Sequence, residues 1–136
     1  MKVVIIDGQG GKLGQKLAEA ITASSVECEL YAIGTNTIAT SAMLKGGAAY
    51  AATGENAVIV ACRDADVIVG PIGITVADAL LGEITPEMAK AVGQSSAVKL
   101  FLPMSHCNNQ VVGVKNLSLS DMVEAAVEKL KDCVKC

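Results

Sequence analysis

The chain has no tryptophan, two tyrosines and one phenylalanine in 136 residues. Without large rings, its core has to be filled by Val, Ile, Leu, Ala and Met. Arginine occurs once, at Arg63, and histidine once, at His106, while Lys plus Arg 11 against Asp plus Glu 14 leaves a net charge of -3. A surface that tracks a phosphate backbone and stacks bases needs many cations and rings, so nucleic acid is not an expected partner. No apolar run reaches the ~18 residues of a membrane-crossing helix. The opening run Val3 to Ile6 stops at Asp7, too short for a signal-peptide core. Five cysteines are an odd number. With no export signal they read as reduced thiols, which makes a cytoplasmic location the expectation.

What is present is hydrophobic: 51 % apolar residues against 18 % charged. That composition buries a core and does not suit a disordered chain. The length is that of one domain, residues 1–136. Along it, short β-branched runs alternate with helical spacings. Strands are predicted at Val3 to Ile6, Val26 to Ile33, Ala48 to Ala52, Val67 to Val69 and Val98 to Leu102, with Gln110 to Val114 as a sixth, edge strand. Helices are predicted from Gly11 to Ser24, over Ile38 to Lys45 and Ala57 to Cys62, within Ile72 to Leu81, after Thr85-Pro86, and from Ser120 onward with a buried stripe of Val123, Ala126, Val127, Leu130 and Val134. Ala57 to Cys62 also reads as a buried strand. Mostly unbroken apolar strands between helices give a three-layer, doubly wound α/β fold with a mostly parallel sheet of five or six strands. Both the dinucleotide-binding and the flavodoxin-like strand orders fit that pattern.

The first strand runs into Asp7-Gly8-Gln9-Gly10-Gly11-Lys12-Leu13-Gly14. Glycines at 8, 11 and 14 stand where a strand turns into a helix. Gly8 suits the tight turn, Gly11 a close approach of backbone to a pyrophosphate, and Gly14 close helix packing, with free helix N–H groups facing phosphate. Lys12 adds charge of the right sign. Asp7 opposes a phosphate unless it holds the loop's own amides or a metal. Leu13 breaks the strict G-x-G-x-x-G, and it also stands where a P-loop needs Ser or Thr, so a P-loop is rejected. The G-x-x-G-x-x-G spacing resembles a variant found in nucleotide folds like that of dihydrodipicolinate reductase. Glycines that serve only turn and packing are the competing explanation.

Ligands of doubly wound sheets lie outside the carboxyl ends of the strands. Those ends carry Gly34-Thr35-Asn36, Thr53-Gly54-Glu55-Asn56, Gly70-Pro71-Ile72-Gly73 and Met104 to Asn109 besides the first glycine turn. A cofactor site is therefore expected on Gly8 to Gly14, Gly34, Thr35, Asn36, Thr53, Gly54 and Gly70 to Gly73. Gly34-Thr35-Asn36 supplies neither the acid that takes a free ribose hydroxyl nor the arginine that takes a 2'-phosphate, so the choice between NAD and NADP stays open, as does a mononucleotide. His106 and Glu55 are the candidates for proton transfer, with Lys45 behind them. Cys133 and Cys136 form a C-x-x-C without a second pair at zinc spacing, so no metal is expected. Cys28 and Cys62 read as core.

Val4 to Gly11, Gly34-Thr35-Asn36, Ala39 to Met43, Ala52 to Ala57 and Gly70 to Gly73 together resemble a family of short bacterial proteins classed as a domain of unknown function. The resemblance implies a compact Rossmann-like protein and carries over no catalytic residue. The leading expectation is a nucleotide- or dinucleotide-binding protein, a sensor in one form, assembled as a homo-oligomer because a lone core leaves its ligand half uncovered. A small oxidoreductase or transferase, with a pocket completed by a neighbouring subunit, is the second. A redox or scaffold protein acting through Cys133 and Cys136 is the third.

Overall fold

The computed structural model describes residues 1–104 and 109–134. Strands β1 (Lys2–Asp7), β2 (Glu29–Gly34), β3 (Tyr50–Thr53), β4 (Val67–Pro71) and β5 (Val98–Leu102) alternate with helices α1 (Lys12–Ala23), α2 (Thr37–Lys45), α3 (Glu55–Arg63), α4 (Pro86–Gln94) and α5 (Leu119–Val134). The five strands form one parallel sheet in the order β3-β2-β1-β4-β5. In the flavodoxin-like order β1 would pair with β3; here it pairs with β2 and β4, which is the dinucleotide-binding order. The chain reverses its direction of travel between β1 and β4, and that junction is the topological switch point.

Alternation along the central strand fixes which helices cover which face. Val3 and Ile5 point into a core with Leu13, Leu17 and Ile21 of α1, Met43 of α2, and Val123, Val127 and Leu130 of α5. Val4 and Ile6 point the other way, onto Val58 and Cys62 of α3, Met88 and Val92 of α4, and Ile74 and Ile84 between β4 and α4. Burying both faces explains why β1 and β4 read as unbroken apolar runs.

Several boundaries differ from the sequence expectation, each for a local reason. Strand β2 starts at Glu29 because the parallel register pairs Glu29 with Lys2, leaving Val26 to Cys28 outside the ladder. Ala57 to Cys62 is helix, entered through Gly54 at φ 104. The residues after β4 make only a 3-10 turn at Ile72–Thr75, and no helix forms up to Leu81, since Asp78, Leu80, Leu81 and Gly82 all have positive φ. Gln110 to Val114 is not a strand, and its valines are exposed. The first turn of α5 is capped by Ser118, whose Oγ accepts from the Asp121 amide at 3.1 Å, and not by Ser120. Thr85 caps α4 as expected, accepting from Met88 N–H at 3.1 Å. Among the described residues, no helix is long and apolar enough to cross a membrane.

Candidate functional site

Strand β1 keeps its pairing with β2 as far as Asp7–Gly34, but its pairing with β4 stops at Ile5–Val69. Pro71 has no N–H to extend that ladder, so the two strands part at their carboxyl ends. A cavity of about 360 Å³ opens there, floored by Gly8 to Leu13 and walled by Pro71, Ile72, Gly73, Leu80, Met104 and Leu119. This is the crevice at which open α/β sheets hold their ligands.

The turn itself is held by Asp7. This buried carboxylate accepts from Gly8 N–H at 2.8 Å through Oδ1 and from Gly14 N–H at 2.7 Å through Oδ2, tying the strand end to the first turn of α1. Burial pushes its pKa above the ordinary value and the nearby Glu83 charge adds to that, while the two amide bonds pull it back only in part. The question raised by its charge is thus answered by the loop's own amides. Gly11 N–H donates to Gly8 O at 2.9 Å, and Gln15 N–H to Gly11 O at 2.8 Å. Among the described residues, the amides of Gly10, Lys12 and Leu13 have no acceptor. They stand at the amino end of a twelve-residue helix, where the aligned peptide dipoles favour an anion.

The glycines divide into two kinds. At Gly11, where φ is 70, a Cβ would lie 2.6 Å from Ala39 Cα; at Gly14 it would lie 2.6 Å from Met43 Sδ. Both let α2 approach the turn closely. A Cβ on Gly34 would collide with Thr40, one on Gly70 would collide with Ile6 O, and one on Gly8 would lie 2.6 Å from Thr35 Oγ1. Gly10 and Gly54, by contrast, have nothing within 4 Å of that point among the described residues. Of the glycines in the first turn, Gly10 alone faces open space.

Glu83 was not legible from any motif, and it reaches the turn from the far end of the β4–α4 connection. Its Oε1 accepts from Gln9 N–H at 2.9 Å, Thr35 Oγ1 at 2.5 Å and Asn36 Nδ2 at 2.8 Å. Partial burial raises its pKa, but the bonds from Thr35, Gln9 and Asn36 outweigh that and hold the carboxyl below its ordinary range. Asn36 also donates to Gln9 O at 3.0 Å and caps α2 by accepting from Ala39 N–H at 2.9 Å. A carboxylate therefore does stand at the end of β2, although the sequence there supplies none.

The remaining expected site residues divide between the cavity wall and other places. Thr53, at the end of β3, bonds Thr40 of α2 at 2.7 Å. Glu55 accepts from Thr85 Oγ1 at 2.8 Å, at the start of α4, and does not line the β1–β4 cavity. Lys45 is exposed at the carboxyl end of α2. Pro71, Ile72 and Gly73 join Gly8 to Leu13 in the cavity wall. His106 and Cys136 lie outside the described residues. Cys133 packs against the α1–α5 core. Burial pushes the Cys62 thiol up to about 11 and raises that of Cys28; Cys62 is buried in the core and Cys28 is half-buried against it. Among the described residues, no three His, Cys, Asp or Glu side chains gather as a metal site.

A family model described as "Domain of unknown function (DUF3842)" matches residues 2–135. No curated protein matches the chain. Among solved structures, a dodecameric FMN-dependent UbiX-like decarboxylase from Escherichia coli O157:H7 aligns with 100 % of this chain and 95 % of its own, at 15 % identity and a TM-score of 0.44.

Proposed function

The chain belongs to this family of unknown function, and from that premise we propose that it binds a phosphorylated small molecule, of the nucleotide class, in the crevice between β1 and β4. The observation that carries the reading is the set of amides at Gly10, Lys12 and Leu13, without acceptors among the described residues, beside an apolar-walled cavity. A phosphate there would accept from the helix amino terminus with Lys12 beside it, and a planar, apolar group would lie against Pro71, Ile72, Leu80 and Met104. Such a module senses or carries its ligand. NAD and NADP are not singled out, because the polar groups at the end of β2 already bond Glu83. The exposed Val111, Val112 and Val114 favour a homo-oligomer as its working form.

The test is calorimetric titration of the purified chain with a panel of nucleotides and inorganic phosphate, repeated on Gly10→Asp. The substitution sets a carboxylate in the open part of the turn, away from any packed neighbour. The affinity of the best ligand should fall at least about tenfold, a change of about 1.4 kcal/mol, with thermal unfolding little altered. Unchanged affinity in the folded variant would place the ligand elsewhere.

A further inference from the structure

The glycine turn has two flanks, and they differ in what already stands on them. On the β4 side lies the cavity. On the β2 side the carboxylate of Glu83 takes the N–H of Gln9, the hydroxyl of Thr35 and the amide of Asn36 on one oxygen. A dinucleotide laid across this strand order would put a phosphate on the loop amides and a ribose on the polar groups at the end of β2. Those donors are here satisfied by an anion from the same chain.

The segment that brings Glu83 is built to stay. Asp78 N–H donates to Ile84 O at 2.7 Å, Ile84 N–H to Ala79 O at 3.1 Å and Gly82 N–H to Asp78 O at 3.1 Å, closing a compact turn. Ala79 and Ile84 anchor it in the core below. Leu80 and Leu81 both adopt φ 56, a conformation that bulky side chains rarely take. Leu80 leans over Gly8, where a Cβ would come within 3.0 Å of both Leu80 Cδ1 and Glu83 Oε1.

We infer that Glu83 fills the place of the second half of a dinucleotide, so that the site accepts ligands of the mononucleotide class and rejects dinucleotides. The inference rests on the nucleotide-binding reading proposed above. A dinucleotide would have to lift Glu83 off its three donors or set a second phosphate against its charge, and both oppose binding. A mononucleotide needs only the β4 flank, where Gly10, Lys12 and Leu13 offer their amides. Its cavity, at about 360 Å³, lies at the small end of ligand pockets. Glu83 is thus a specificity-determining residue that acts by exclusion.

The experiment compares AMP and FMN with NAD and FAD as calorimetric probes on the full chain, then on Glu83→Gln and Glu83→Ala. Gln keeps the shape and an accepting oxygen while removing the charge, so it serves if the Ala variant fails to fold. The wild-type chain is expected to bind its better mononucleotide at least about tenfold tighter than the corresponding dinucleotide, and the substitutions should shrink that ratio about fivefold or more. A wild-type chain that binds the dinucleotide equally well or better overturns the exclusion while leaving the crevice reading intact. So does a ratio that Gln leaves unmoved, or a loss of dinucleotide affinity in the variants, which would make Glu83 a ribose ligand. Binding of none of the probes by the wild-type chain defeats the parent reading and this one with it.

Discussion

The two flanks of the first turn share a floor, the residues from Asp7 to Leu13, yet one is filled and the other open. Toward β2, the ladder with β1 runs to its end, helix α2 presses onto Gly11 and Gly14, and the Glu83 carboxylate closes what is left. Toward β4, the ladder stops early, at Ile5–Val69, and a cavity remains. A glycine-rich turn is therefore not one feature. Some of its glycines admit a neighbouring helix, and one leaves room that nothing among the described residues fills.

That contrast is sharpest in stability. Gly11→Val should cost about 3 kcal/mol or more, because it combines a left-handed φ with a collision against the backbone of α2, whereas Gly10→Ala should change unfolding by less than about 0.5 kcal/mol. Urea unfolding of the two variants checks this; equal costs would mean that both glycines serve packing. Gly11→Val is for the same reason a poor probe of binding, since any lost affinity would accompany a lost fold.

Thr35→Val examines the filled flank alone. It removes one donor to Glu83, and a loss of about 1 kcal/mol is expected, with a double-mutant cycle against Glu83→Gln showing coupling between the two. Additive losses would mean that the carboxylate is not held by that hydroxyl.

The smallest expected effect is in pH. Glu83 has its pKa lowered by folding, so its contribution is present above the ordinary value of 4.5 and is lost as pH falls through the lower folded value. Asp7 has its pKa raised, so its contribution is full below the ordinary value of 3.8 and is lost as pH rises through the higher folded value. Unfolding curves of wild type and Glu83→Gln should therefore converge as pH falls below 4.5, while Asp7→Asn should gain on wild type as pH rises above 3.8. A pH-independent gap for Glu83→Gln would show that the residue does not act as a carboxylate.

Much of the frame could be read in advance. Val3 to Ile6 and Val67 to Val69 announced buried central strands, Thr85-Pro86 announced the start of α4, and Asp7 to Gly14 announced a strand-to-helix turn. The errors fell where local signals ran against long-range ones. Ile72 to Leu81 reads as loop running into helix, but the chain there turns back to place Ala79 and Ile84 in the core. Gln110 to Val114 reads as an edge strand by its valines, yet β5 carries no neighbour on that side among the described residues. Glu83 had no local signature at all, because its partners Gln9, Thr35 and Asn36 are 74, 48 and 47 residues away.

The sequence alone determined the class of fold and the position of the turn. Both follow from periodicities and residue types that act over a few neighbouring residues: β-branched runs for strands, apolar stripes for helices, glycines where φ or space demands them. Only the tertiary structure decided the strand order, which glycines were packed, and which flank of the turn remained open. Those depend on where crossovers bring distant segments, and a carboxylate that arrives from the other side of the switch point leaves no trace in the spacing of the residues it meets.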